Sequence, residues 1–167
     1  MWPAEVHRVL HNESARQIAF VPDAGLSQLI ALCEADSAMH IVRLTTEEEG
    51  VALLAGAWLG GDRGILLMQS SGTGNCINML SLTKGSKFPL VMLVTMRGED
   101  GETNPAQIPM GSATQQVLEA MGGNVVRAES AEQIAQHIAT AVKRAYSTNS
   151  CEAVLIAQHV LGFKAFK

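Results

Sequence analysis

The stretch from Pro89 to Thr95 reads Pro-Leu-Val-Met-Leu-Val-Thr, and Ile65–Gln69 reads Ile-Leu-Leu-Met-Gln. Neither run alternates apolar with polar residues, and each is too short and too closely bounded by turn residues for a helix. A strand that is apolar at successive positions must be covered on both faces, which is the condition of a strand inside a parallel sheet. This requirement limits the chain to a fold in which helices supply both covers.

The rest of the sequence provides them. Strand patterns are expected over Ile18–Val21, Ile41–Leu44, Ile65–Gln69, Pro89–Thr95, Asn124–Arg127 and Ala153–Ala157. Helical patterns alternate with them over 3–16, Gly25–Glu34, Glu47–Leu59, Asn75–Lys84, Ser112–Met121 and Ala131–Tyr146, with a tail from His159 to Lys167. Strand and helix in strict succession predict an α/β fold, an open, mostly parallel six-stranded sheet with helices on both faces. No linker or repeat divides the chain, so residues 1–167 are read as one domain.

Composition narrows the partners. With 47% hydrophobic and 17% charged residues the chain has material for a core, and a net charge of −4 with scattered Lys and Arg offers no surface for nucleic acid or anionic lipid. Cys33, Cys76 and Cys151 lack zinc or disulfide spacing, the five histidines stand apart from any nucleophile motif, and no metal site is expected in the chain. With no signal peptide or spanning segment in the pattern, a cytoplasmic protein is expected.

Chemistry-bearing residues gather after strand ends, where open parallel sheets place ligands. Asp23-Ala24-Gly25 follows the first strand, and Glu47-Glu48-Glu49 opens the helix after the second. Ser70-Ser71-Gly72-Thr73-Gly74-Asn75, read as a turn, follows the third, and Arg97 begins a long Gly- and Pro-rich loop over 96–111 after the fourth. Each has a plain structural account. Acids in a first helical turn complement the helix dipole, and a Gly-x-Gly turn can be a simple strand-to-helix connection. Small residues at Gly50, Ala52, Ala55, Gly56 and Ala57 point to close packing against another helix or subunit.

In combination these strings resemble the pyrimidine-binding domain of thiamine-diphosphate-dependent enzymes. Thr-Glu-Glu-Glu-Gly, Ala-Gly-Ala-Trp-Leu, Met-Gln-Ser-Ser-Gly-Thr-Gly-Asn, Arg97-Gly98 and Gln107-Ile-Pro-Met-Gly111 are similar, more narrowly, to sulfopyruvate decarboxylase alpha subunits and phosphonopyruvate decarboxylases, from about Val21 to Gly122. The resemblance implies a glutamate that hydrogen-bonds the cofactor's aminopyrimidine ring, with a small residue three positions and a glycine nine positions later. Counting from Glu47 reaches Gly50 and Gly56, which selects Glu47 as the catalytic residue.

It further implies that Ser71, Gly72, Thr73 and Asn75 bind cofactor with Glu47, and that Asp23, Gly25, Ser70 and Arg97 meet the substrate. The family's Gly-Asp-Gly magnesium motif is not found, so Mg²⁺ and the diphosphate are expected on a separately encoded beta subunit. The assembly implied is α₂β₂ or larger, with alpha chains paired. The activity implied is decarboxylation of a 2-oxo acid, sulfopyruvate foremost, to sulfoacetaldehyde and carbon dioxide. Phosphonopyruvate, another acyl transfer on the same cofactor, or a non-catalytic binding domain of the same fold are the alternatives.

Overall fold

A computed structural model describes residues 1–162. Six strands form a single sheet in the order β2-β1-β3-β4-β6-β5, with every neighbouring pair parallel. The strands are β1 Ala15–Phe20, β2 His40–Arg43, β3 Arg63–Gln69, β4 Leu90–Thr95, β5 Asn124–Ala128 and β6 Cys151–Ile156. The sheet is therefore wholly parallel, where the sequence reading expected a mostly parallel one, and the two apolar runs lie inside it.

Among the described residues seven α-helices connect and flank the strands: α1 Trp2–Asn12, α2 Ser27–Ala35, α3 Glu47–Leu59, α4 Ser70–Ser86, α5 Ile108–Ala120, α6 Ala131–Thr148 and α7 Gln158–Leu161. Helices α1, α2 and α6 bury Val6, Leu29 and Ile138 with Ile65, Leu67 and Leu93 on one face of the sheet. Helices α3, α4 and α5 bury Val51, Leu80 and Leu118 with Leu66, Met68 and Met92 on the other. Successive side chains of β3 thus enter opposite cores, which explains why that strand has no polar face. Among the described residues no helix is long and apolar enough to cross a membrane.

Several element limits differ from the sequence reading. The expected turn Ser70–Asn75 is the opening of α4, so its two glycines lie inside a helix. Both are there for contact: a Cβ on Gly72 would lie 2.5 Å from Cγ of Glu47, and one on Gly74 would lie 3.1 Å from Sδ of Met110. The helix expected from Ser112 starts four residues earlier, at Ile108, because Pro109 in the first turn lacks only an N–H that would have no intrahelical partner. Helix α1 stops at Asn12 instead of running to residue 16, and Ser14, at φ 56°, turns the chain into β1. The tail expected over His159–Lys167 forms the short α7 and is described only to Gly162.

Gly50 and Gly56 separate in the structure. A Cβ on Gly50 would fall 2.5 Å from Cδ1 of Leu66 and 2.9 Å from Cδ1 of Leu44, so its smallness serves packing of α3 on β3 within this chain. The same atom on Gly56 would meet nothing within 4 Å.

Order in the sheet also fixes where a ligand crevice can form. The connection from β1 leads outward through α2 to β2, and that from β3 leads the other way through α4 to β4. Their C-terminal ends part around the gap between β1 and β3, the topological switch point of such a sheet. Asp23, Ser70 and Arg97 all follow strand ends at this rim.

Candidate functional site

The three adjacent glutamates have three different surroundings. Thr46, in extended conformation, is the N-cap of α3, and the following turn of the helix points one acid inward and two outward. Glu49 accepts a hydrogen bond from the Thr45 N–H at 2.9 Å, a local cap that satisfies a donor ahead of the helix. Glu48 is exposed. Glu47 is 8% exposed and lies across the first turns of α4.

Its two oxygens differ as well. Oε2 accepts from Nδ2 of Asn75 at 2.8 Å. Oε1 lies over Gly72, accepts no hydrogen bond from the described residues and is not sealed from solvent. The glycine at 72 makes this possible, since any side chain there would occupy the carboxylate's position. Cys76, one position beyond Asn75, has its thiol pushed up to about 12 by burial first, with Glu47 and Glu48 adding to the effect. It is therefore a neutral neighbour. Thr73 is fully buried and its Oγ1 has no hydrogen-bond partner among the described residues, and Ser71 is half-buried beside it.

A second group lies beyond the ends of β1, β4 and β6. Oδ2 of Asp23 accepts from the Gly25 N–H and from Oγ1 of Thr95, each at 2.9 Å. These residues, with Arg97, Glu102 and Gln158, line a cavity of about 230 Å³. Glu47 does not line it, so the sequence-expected residues fall into two places: Glu47, Ser71, Gly72, Thr73 and Asn75 around the α3–α4 junction, and Asp23, Gly25 and Arg97 around the cavity. Ser70 connects them. It is fully buried and its Oγ accepts from the Arg97 N–H at 3.0 Å.

The cation of Arg97 is committed inside the chain. Nε and Nη2 each donate to Glu102 at 2.7 Å, a bidentate fork in which the Arg97 side chain is 13% exposed and the Glu102 side chain 2%. Glu102 also accepts from the Gly98 and Asn104 N–H groups and from Nε2 of Gln158. These donors, Arg97 first, hold the Glu102 carboxyl below the ordinary carboxylate range. Among the described residues, Asp23 and Glu102 both act on Arg97 and hold its guanidinium in the charged form.

The loop after β4, expected over 96–111, is shorter and is fastened at several points. Gln158 donates its N–H to Glu99 at 2.7 Å and accepts from the Glu99 N–H at 3.0 Å, and Arg127 reaches Glu99 at 2.7 Å. Gly98, at φ 75°, and Gly111 meet face to face, and a Cβ on Gly111 would fall 2.9 Å from Cα of Gly98. Thr95, Glu102 and Gln158 were not singled out from the sequence. A threonine ending an apolar strand has a detectable signal, whereas the roles of Glu102 and Gln158 arise from contacts between segments distant in the chain. Among the described residues no group of three or more His, Cys, Asp or Glu could hold a metal ion.

Comparison with known proteins places this sequence in a family. The sulfopyruvate decarboxylase subunit alpha of Methanococcus maripaludis is 37% identical over 115 residues, which cover 68% of this chain and 69% of that subunit. The chain belongs to the family of sulfopyruvate decarboxylase alpha subunits. The member from Methanothermobacter thermautotrophicus is 42% identical over 99 residues, covering 59% of this chain and 60% of that subunit. A phosphonopyruvate decarboxylase of Streptomyces viridochromogenes is 39% identical over 104 residues, 61% of this chain, and the match spans only 26% of that longer protein. No protein-family model matches the sequence.

Among solved structures, the 2-oxoglutarate:ferredoxin oxidoreductase from Magnetococcus marinus superposes with a TM-score of 0.74 at 12% identity over 97% of this chain. This alpha-subunit family member spans 29% of that larger chain, and the likeness concerns the fold.

Proposed function

We propose that the chain is the aminopyrimidine-binding subunit of a thiamine-diphosphate-dependent 2-oxo acid decarboxylase, with sulfopyruvate as substrate and sulfoacetaldehyde and carbon dioxide as products. The observation that carries this reading is Glu47, the one buried carboxylate of the three, with one oxygen held by Asn75 and the other open above a glycine. Relatives named sulfopyruvate decarboxylase subunit alpha supply the substrate and the expectation of a second subunit.

The α3–α4 junction fits the pyrimidine end of the cofactor. A heteroaromatic ring that must receive a hydrogen bond at a ring nitrogen needs a carboxyl group fixed in direction and a flat approach beside it, and Glu47 and Gly72 provide both. Thiamine diphosphate, when bound, supplies the electron sink that loss of carbon dioxide from a 2-oxo acid requires. Glu47 would hold N1′ of the ring and share a proton with it through Oε1, with the half-buried Ser71 beside the ring and the buried Thr73 lying beneath that end of α4. Mg²⁺ and the diphosphate fall to a beta subunit, and the exposed Asn75 on the second turn of α4 leaves this end of the site open to such a partner.

For the substrate, Asp23 and Gly25 hold the rim and Ser70 ties it to the cofactor end. The Arg97–Glu102 fork favours an indirect role for Arg97, orienting the rim by its own N–H on Ser70, over a direct contact with the acid.

The test is co-expression with a candidate beta chain and measurement of carbon dioxide release from sulfopyruvate and phosphonopyruvate in the presence of thiamine diphosphate and Mg²⁺. Glu47→Gln is expected to lower kcat by 10² or more with the assembly intact, the range of a lost general acid–base group, while Glu48→Gln stays near wild type. An inactive Glu48 variant beside an active Glu47 variant would show the wrong carboxylate to have been chosen.

A further inference from the structure

We infer that Asn75 is a positioning residue for Glu47, and that its hydrogen bond decides which carboxylate oxygen works. The inference rests on the cofactor reading above and goes beyond it, because it takes Asn75 out of direct cofactor contact and gives the two Glu47 oxygens separate duties.

A carboxylate at the end of a glutamate side chain can turn about its last bond, and a twofold turn exchanges its oxygens at little cost. In this chain that freedom is removed from two sides. Nδ2 of Asn75 donates to Oε2 at 2.8 Å, and the backbone of Gly72 bounds the space below the group, with the place of a Cβ there lying 2.5 Å from both Cγ and Cδ of Glu47. Oε1 is left without a partner among the described residues and with access to solvent. Asn75 sits at position i+3 from Gly72 on α4, so one helical face presents both the floor and the clamp.

The residue type suits the task. An amide nitrogen donates and cannot take up a proton at neutral pH, so the clamp on Oε2 does not compete for the proton that Oε1 shares with a ring. A carboxylate in its place would put two acids within hydrogen-bond reach and oppose the charge on Glu47. Among the described residues no other side chain takes over the clamp: Glu49 turns back to the Thr45 N–H, Glu48 is exposed, and Cys76 stays a neutral thiol.

Exchange of the cofactor's C2 proton for deuterium reports proton delivery directly, without turnover. In the assembled enzyme loaded with thiamine diphosphate and Mg²⁺, Asn75→Ala is expected to slow that exchange about 10- to 100-fold, the scale of a misplaced catalytic group. Affinity for thiamine diphosphate, measured by calorimetry, and KM for sulfopyruvate should stay within about threefold of wild type, since a positioning residue acts on the reacting geometry and not on uniform binding. Asn75→Asp, which keeps the shape, is expected to slow exchange further and covers the case in which Asn75→Ala fails to assemble.

Wild-type exchange in either variant overturns the inference. So does a fall in cofactor affinity matching the fall in exchange, which would make Asn75 a cofactor contact. If Glu47→Gln also exchanges at the wild-type rate, it is the cofactor reading itself that fails.

Discussion

Replacing Glu102 by alanine tests whether the loop after β4 is held from within. The carboxylate receives five hydrogen bonds: two from Arg97 at 2.7 Å each, and one each from the Gly98 N–H at 3.1 Å, the Asn104 N–H at 2.9 Å and Nε2 of Gln158 at 3.0 Å. Removing one partner of a buried ion pair costs about 3–5 kcal/mol, and hydrogen bonds to charged groups contribute about 1.5–3 kcal/mol each before compensation by water. The Glu102 side chain is 2% exposed but the residue lines the cavity of about 230 Å³, so water can reach the orphaned donors once the carboxylate is gone. The expected loss is therefore about 2–4 kcal/mol, read as a lower urea midpoint at constant slope.

Its dependence on pH has a definite sign. The folded carboxyl is held below its unfolded value of about 4.3, so its contribution is complete above that pH and is lost as pH falls toward the folded value. The stability gap between wild type and Glu102→Gln should accordingly narrow between pH 5 and pH 3, both values on the order of the unfolded carboxyl range. A gap that is constant over that interval, or an alanine variant that loses less than about 0.5 kcal/mol, the scatter of ordinary surface changes, would refute the account of Glu102 as the loop's fastening.

Three further outcomes follow from the packing. Gly111→Ala drives a Cβ onto the backbone of Arg97 and Gly98 and should cost at least the roughly 1–3 kcal/mol of an overpacked site, measured by denaturation. Gly56→Ala meets nothing within 4 Å and should stabilise by about 0.5–1 kcal/mol through helix propensity, and a loss in the assembled protein alone would locate a partner on that face. Cys33, Cys76 and Cys151, each pushed up to about 12 with burial as the leading cause, should resist iodoacetamide at neutral pH in the folded chain and react on unfolding.

The sheet was legible because β3 and β4 carry their environment in their composition: an apolar residue at each of Leu66, Leu67, Leu93 and Val94 admits no solvent face. Glu47–Leu59 was placed to the residue, since a threonine, Thr45 or Thr46, followed by three acids marks a helix start by local chemistry, and the structure makes Thr46 the cap. Ser70–Gly74 was misplaced because its glycines carry a penalty in a helix that only Glu47 and Met110, distant in the chain, repay through contact. Counting positions could favour Glu47 among the acids, yet the separation of its oxygens depends on Asn75, 28 residues away. Arg97 shows the limit most plainly, because the sequence offers it both as a substrate contact and as an ion-paired residue, and its fork with Glu102 is seen only in the structure.

Runs of one repeated residue are places where copying errors change chain length, and Glu47-Glu48-Glu49 is such a run. Loss of one codon would leave a glutamate in the first helical place, so the acid needed inward would survive the error. The following residues would each move up by one, and Val51 would arrive where Gly50 now lies beneath Leu66 and Leu44. A β-branched residue cannot occupy that gap without moving α3 from the sheet. The number of acids in the run is thus set by the glycine that ends it.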